Sequence, residues 1–110
     1  MEIKTATEIE TELFYSIIKY LTKKNWKITI EYSSNLFDKG IDFDLYQFES
    51  NEESILLAWT NWFEGELKAT TKIIETIEKH FGVSFKFGNP EQLDNENIVD
   101  EMKDLLDFKE

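Results

Sequence analysis

The residues best suited to chemistry or binding lie between Ile41 and Leu67. This stretch contains seven carboxylates, six aromatic residues and no lysine. Carboxylates can ligate a hard cation or attract a positively charged partner, and aromatic side chains supply contact area at protein interfaces. The whole chain of 110 residues has a formal net charge of −11. We therefore expect a partner that carries positive charge.

The composition excludes several classes of function. The chain has no cysteine and one histidine, which excludes thiolate catalysis and the usual His/Cys zinc sites. Every basic residue is a lysine, whereas arginine is preferred for recognising phosphate and guanine. An acidic chain without arginine is therefore predicted not to bind nucleic acid. Because no signal peptide and no apolar run of about 20 residues is present, we expect no membrane partner and a cytoplasmic location.

Apolar periodicity predicts an α+β fold in a single globular domain over residues 1–110. Strands are expected where apolar and polar residues alternate, and helices where apolar residues recur at helical spacing. The resulting order is αβββαβα, with one mainly antiparallel sheet of about four strands packed against helices. The expected helices lie at about 7–24, 67–80 and 95–107, and the expected strands at 26–32, 41–49, 54–64 and 83–87.

Two local patterns refine this prediction. Thr7 and Glu10 have the spacing of a capping box, which would start the first helix. In the strand at 26–32, strict alternation predicts that Trp26, Ile28, Ile30 and Tyr32 share one buried face.

Strand pairing decides which side chains of the acidic stretch lie together. The strands at 41–49 and 54–64 are joined by a short hairpin turn. In a hairpin, the residue numbers of every opposed pair add up to the same sum. If this sum is even, Leu45 shares a buried face with Trp59. An odd sum would place Asp44 opposite Trp59 and bury a carboxylate, so the even register is favoured. The other face would then carry the predicted partner-binding residues, Asp42, Asp44, Tyr46, Thr60, Trp62, Glu64 and Glu66.

The favoured function is a non-enzymatic binding protein for a basic protein partner. The size and charge are similar to those of bacterial toxin-immunity proteins, and an antitoxin would have similar properties. Type III secretion chaperones are also acidic and similar in element order, beginning αβββαβ, although they have two strands after the second helix. Tyr46, Thr60 and Trp62 would form the centre of the contact, surrounded by the four carboxylates. No nucleophile motif argues for catalysis.

Two other functions stay open. The predicted αβββαβ order resembles the core of the PD-(D/E)xK nuclease superfamily, which implies a carboxylate-dependent divalent metal enzyme. Asp42 would correspond to its acid, and Glu66-Leu67-Lys68 to its Glu-x-Lys tripeptide. However, Glu66 lies beyond the position opposite Asp42, and no dedicated ion-binding spacing is present, so no metal and no cofactor is predicted. The other possibility is a small-ligand or structural module with a pocket between helix and sheet.

Overall fold

One antiparallel sheet of six strands, with helices packed against it, organises residues 2–109, the part of the chain that the computed structural model describes. The strands follow the order β1-β5-β4-β3-β2-β6 across the sheet. The predicted α+β class and antiparallel sheet are confirmed, whereas the predicted count of about four strands is too low and the predicted order αβββαβα matches only in part. The elements are β1 (Ile3–Ile9), α1 (Thr11–Lys23), β2 (Lys27–Tyr32), β3 (Phe43–Ser50), β4 (Glu53–Thr60), β5 (Glu64–Thr70), α2 (Thr71–Phe81), α3 (Ile98–Glu101), a 3-10 turn (Lys103–Leu105) and β6 (Leu106–Phe108).

Three strands, β1, β5 and β6, are elements that periodicity did not predict, and two of them, β1 and β6, are the edges of the sheet. Residues 3–9 are extended and pair with β5, and the Thr7 hydroxyl accepts a hydrogen bond from the Gly88 amide (3.2 Å). The predicted capping box is therefore wrong, and α1 begins only at Thr11. At the other edge, β6 pairs with β2, so the predicted last helix is reduced to the four residues of α3 and a 3-10 turn.

The predicted strand at 54–64 and the predicted helix start at 67 are both wrong, because β4 ends at Thr60, a turn follows, and β5 precedes α2. The strand β5 extends to Thr70, whose hydroxyl accepts a hydrogen bond from the Ile73 amide (3.4 Å) and caps α2. The helix ends before Gly82, as predicted, because this glycine adopts φ of +65°. The predicted strand at 83–87 makes only an isolated bridge through Lys86 and is not a regular strand.

The β3–β4 hairpin has the register that the sequence analysis rejected. Asn51 and Glu52 both have positive φ (49° and 68°), which gives a two-residue turn of type I′. Such a turn pairs Ser50 with Glu53, so every pair along the hairpin sums to 103. Asp44 consequently lies opposite Trp59. The even register is wrong because a two-residue turn fixes an odd sum, whatever the cost of burying a carboxylate.

A bulge in β2 divides the predicted apolar face between the two sides of the sheet. Ile28 pairs with Phe48, but Ile30 pairs with Gln47, so the pairing shifts by one residue between them. Ile28 therefore packs on the side of the sheet that carries α1 and α2, while Ile30 packs on the other side. The prediction that alternation places all four apolar residues on one face is wrong for this reason.

Two apolar clusters lie on the two faces of the sheet. The helical face is covered by α1 and α2, through buried residues such as Phe14, Ile17 and Ile77. The second face is covered in part by the segment after α2, where Leu93 and Ile98 pack against the sheet. No helix among the described residues has the length and apolar character needed to cross a membrane.

Candidate functional site

The seven predicted partner-binding residues do not share one exposed face. Asp44, Tyr46, Thr60 and Glu66 are buried, with exposed fractions of 1%, 8%, 4% and 1%. The odd hairpin register places Asp44 and Tyr46 on the helical face, while Thr60 and Glu66 point to the second face. The remaining three residues lie nearer the surface: Asp42 is half-buried, and Trp62 and Glu64 are exposed.

Asp44 belongs to a buried ion cluster, formed with Lys39, Tyr15, Tyr46 and Glu31. One carboxylate oxygen of Asp44 accepts a hydrogen bond from Lys39 Nζ (2.7 Å), and the other accepts one from the Tyr15 hydroxyl (2.6 Å). Lys39 also lies 3.1 Å from Glu31 and contacts the ring of Tyr46. A buried carboxylate is costly unless it is paired and hydrogen-bonded, so this cluster explains why Asp44 is tolerated inside.

The cluster shifts the proton affinities of its members. Burial and the hydrogen bond to Asp44 raise the pKa of Tyr15, and burial beside Asp44 and Glu31 raises that of Tyr46. Burial acts to raise the pKa of Glu31, but ion pairs with Lys39 and Lys109 outweigh it, and the pKa is lowered. Tyr15 and Tyr46 therefore stay neutral and Glu31 stays ionised at neutral pH, which suits a structural role for the cluster.

Glu66 anchors the segment that follows α2. Its two carboxylate oxygens accept hydrogen bonds from three successive backbone amides, those of Glu91 (2.6 Å), Gln92 (3.1 Å) and Leu93 (2.8 Å). These bonds satisfy amide donors that would otherwise lie beside the apolar second face. Glu66 is therefore a structural residue of the cover on that face.

The arrangement of the acids does not support the nuclease comparison. Asp42 precedes β3 and Glu66 lies in β5, and β4 separates these strands. Both carboxylate oxygens of Glu66 already accept hydrogen bonds from backbone amides of the segment after α2, so this side chain is committed to the fold. Within residues 2–109, no group of three or more histidine or acidic side chains is placed to hold a metal.

An acidic cleft opens beside the β4–β5 turn. Its volume is about 330 Å³, and four of its eight lining residues are glutamates. Trp62 and Phe63, at the tip of the turn, form an aromatic wall and are 69% and 48% exposed. None of the described residues that line the cleft is basic. The lining consists of Thr7, Glu8, Trp62, Phe63, Glu64, Glu66, Asn89 and Glu91.

Local backbone geometry shapes this cleft. The Thr60 hydroxyl accepts a hydrogen bond from the Phe63 amide (2.9 Å) and closes the turn. Glu64 and Glu8 both have positive φ (60° and 56°), and Glu8 lies in a bulge of β1. A backbone conformation with positive φ costs a residue other than glycine on the order of 1 kcal/mol of free energy. The two glutamates are thus held at the cleft by an irregular backbone rather than by regular strand geometry.

A second cavity, the helix groove, lies between α1, α2 and the β3–β4 turn. Its volume is about 550 Å³. The buried side chains of Leu21, Ile73 and Ile77 form an apolar floor, and Trp26 and Tyr20 are also among its walls. Asn51, Glu52, Glu53, Lys72 and Thr76 complete the lining.

Sequence reasoning missed several contributors to these sites, among them Phe63 at the aromatic wall. Glu8 and Glu91 reach the cleft from segments far apart in the chain, and only tertiary structure brings them together. Lys39 is not among the predicted site residues, yet its side chain is turned inward to Asp44. One signal was available for Lys39, because it is the only lysine between residues 28 and 67.

Comparison of the chain with protein-family models, with curated proteins and with solved structures finds no match. The functional argument therefore depends on the geometry of the molecule.

The structural role of Glu66 predicts a large loss of stability when its charge is removed. Glu66→Gln replaces one acceptor oxygen by an amide group that faces backbone donors. We expect urea denaturation to show a loss of about 2–4 kcal/mol in the free energy of unfolding, with faster hydrogen exchange at amides 91–93. The matched control Glu64→Gln, at an exposed position, is expected to change stability by less than about 0.5 kcal/mol. Equal effects of the two variants would contradict the anchoring role.

The buried tyrosines predict a loss of stability at alkaline pH. Burial and a hydrogen bond to Asp38 raise the pKa of Tyr32 to about 12, and the pKa values of Tyr15 and Tyr46 are also raised. An unfolded tyrosine loses its proton near pH 10, so the folded state binds more protons above that pH. The stability held by these groups should be complete below about pH 10 and should fall as pH rises through about 12.

Urea denaturation of the wild type and Tyr15→Phe across this pH range tests the linkage. The variant should be less stable at pH 7 by about 1–2 kcal/mol, because Asp44 loses a hydrogen bond. Its free energy of unfolding should also fall less steeply between about pH 10 and 12. Parallel pH profiles would show that Tyr15 does not contribute to the alkaline transition.

Proposed function

We propose that this protein binds a basic protein partner and that the acidic cleft with Trp62 and Phe63 is the contact site. The single observation that carries the proposal is the exposure of Trp62, 69% of whose surface is accessible beside a cleft lined by glutamates. Large aromatic side chains provide much of the binding energy at protein interfaces. Inhibition of a toxin and escort of a secreted protein are both activities of this class.

Charge supports the choice of a basic partner. Glu8, Glu64 and Glu91 are exposed at the cleft, and the buried charge of Glu66 adds to the same negative potential. The nearest ion pair at this site joins Glu8 to Lys86 at 3.8 Å, with both side chains largely exposed to water. An exposed pair of this kind contributes little and exchanges readily for a partner's cation. The net charge of −11 would also accelerate encounter with a basic protein.

Trp62→Ala should weaken partner binding without unfolding the protein. The side chain is exposed, so we expect the free energy of unfolding to change by less than about 1 kcal/mol. Tagged protein would be used to capture partners from the native cell at low and high salt, and captured proteins would be identified by mass spectrometry. We expect a basic protein that the wild type retains at low salt, and that is lost both at high salt and with Trp62→Ala.

A charge-matched pair of variants separates the cleft from the general acidity of the chain. Glu8→Gln with Glu64→Gln removes two charges at the cleft, whereas Glu49→Gln with Glu75→Gln removes two exposed charges elsewhere. Only the first pair should reduce capture of the partner. Equal loss with both pairs, or capture that is insensitive to all of these changes, would remove the support for this site.

The helix groove favours a second candidate function, the binding of a small apolar ligand. Its volume falls in the range of ordinary ligand pockets, and its floor is apolar with polar groups at the rim. The groove includes the β3–β4 turn, at the opposite end of β4 from the turn that carries Trp62, and among the described residues it shares no lining residue with the cleft. The two functions can therefore be tested separately.

Octanoate and octylamine are suitable probes of the groove, since each carries an apolar chain and one charged end. Binding should raise Tm by about 2–4 °C at saturating ligand. It should also change tryptophan fluorescence through Trp26, and the fluorescence change should disappear in Trp26→Phe. Trp62→Phe serves as the control, because Trp62 lies at the acidic cleft. The absence of both a Tm shift and a fluorescence change with either probe would argue against this function.

A further inference from the structure

The loop that joins β2 to β3 (residues 33–42) displays apolar side chains at its surface. Phe37 is 90% exposed and Ile41 is 62% exposed. The exposed Phe37 side chain contributes little to the stability of the fold, because little of its apolar surface is removed from water. Exposed apolar side chains that cluster together are typical of interaction sites.

The loop is held in place from both of its ends. The Tyr32 hydroxyl donates to both carboxylate oxygens of Asp38 (3.0 and 3.1 Å), and the Asp38 carbonyl accepts hydrogen bonds from the amides of Ile41 and Asp42. Next to Asp38, Lys39 points inward to the buried ion cluster. The loop therefore presents Phe37 on a braced backbone, which lowers the ordering entropy that a partner would have to overcome.

This loop is continuous with the turn that carries Trp62. The Asn61 amide donates a hydrogen bond to the Asp42 carbonyl (3.1 Å), which joins the two connections directly. They lie at the same end of the sheet, because β3 begins where the antiparallel β4 ends. The exposed residues Phe37 and Ile41 thus lie on a loop that is hydrogen-bonded to the turn carrying the exposed Trp62 and Phe63.

The β2–β3 loop and the β4–β5 turn also present mainly negative charge at the surface. Lys39 is the only lysine between residues 28 and 67, and its side chain is 17% exposed and neutralised by Asp44 and Glu31. Turning this lysine inward removes the positive charge from the loop surface. Asp42 follows the exposed Ile41 in the chain, and Glu64 follows the exposed Phe63. Apart from the inward-facing Lys39, neither connection contains a lysine.

We propose that the β2–β3 loop and the β4–β5 turn form one docking surface, with Phe37 as its second anchor. The surface fits a basic protein that presents an apolar patch to Phe37, flanked by lysine or arginine side chains. This inference rests on the proposed function and adds to it a second anchor and the chemistry of the partner's contact surface. Aromatic anchors packed against apolar surface, with complementary charge around them, are the common pattern of tight interfaces.

The test uses two synthetic amphipathic helical peptides of equal length, one of leucine and lysine and one of leucine and glutamate. Each would be titrated into the ¹⁵N-labelled full-length protein and followed through backbone amide shifts. We expect the lysine peptide to shift amides in 36–42 and 61–64, and the glutamate peptide to leave them unchanged. Phe37→Ala should raise the Kd of the lysine peptide by about tenfold or more.

Phe108→Ala is the matched control, since Phe108 is a phenylalanine on β6 that is 57% exposed. It should change the Kd by less than about twofold. If Trp62→Ala weakens binding and Phe37→Ala does not, the second anchor is wrong while the proposed function stands. If neither variant weakens binding, both the second anchor and the proposed function are wrong. Shifts of the same amides when the free protein is diluted would instead assign the surface to a second copy of this chain and overturn the proposal.

Discussion

The position of Asp44 is the constraint on which much of this structure depends. The two-residue β3–β4 turn fixes a register that places this carboxylate opposite Trp59, on the face covered by α1. A carboxylate with 1% exposure needs a counter-charge and hydrogen-bond donors. Lys39 supplies the charge, and Tyr15 and the Leu45 amide supply donors. The burial of one acid thus ties the β2–β3 loop to the sheet through Lys39.

The acids of this chain divide into two groups with different roles. Asp44 and Glu66 are buried and fully engaged, the first with Lys39 and Tyr15, the second with three backbone amides. Others, such as Glu8, Glu64 and Glu91, remain at the surface beside exposed aromatic side chains. Only the second group contributes charges that a partner can contact. The buried group positions the loops from which that surface is built.

The buried ion cluster is better understood as a device for specifying the fold than as a source of stability. An ion pair inside a protein recovers its desolvation cost only when its geometry is good, and an apolar replacement is often as stable. Here the cluster joins the β2–β3 loop through Lys39, α1 through Tyr15, and β2 through Glu31. A different path of the loop would leave Asp44 without its counter-charge. The cluster therefore selects one arrangement of the surface that carries Phe37.

The sequence by itself determined the fold class, the antiparallel sheet, most of α1 and the end of α2. These features depend on local spacing of apolar residues and on Gly82, so no distant contact is needed to predict them. The hairpin register could also have been predicted from the sequence. A two-residue turn requires an odd pairing sum, and this requirement outweighs the cost of burying Asp44.

Tertiary structure alone decided the edge strands, the bulge in β2 and the membership of the candidate sites. The strand β6 exists because it completes the edge of β2, and three residues have no local pattern strong enough to predict a strand. Burial of Asp44 and Glu66 depends on partners five and about 25 residues away. The acidic cleft gathers Glu8, Glu64 and Glu91 from three segments. Charge and composition are sums over the chain, whereas a site is a set of distances, and only the folded backbone fixes those.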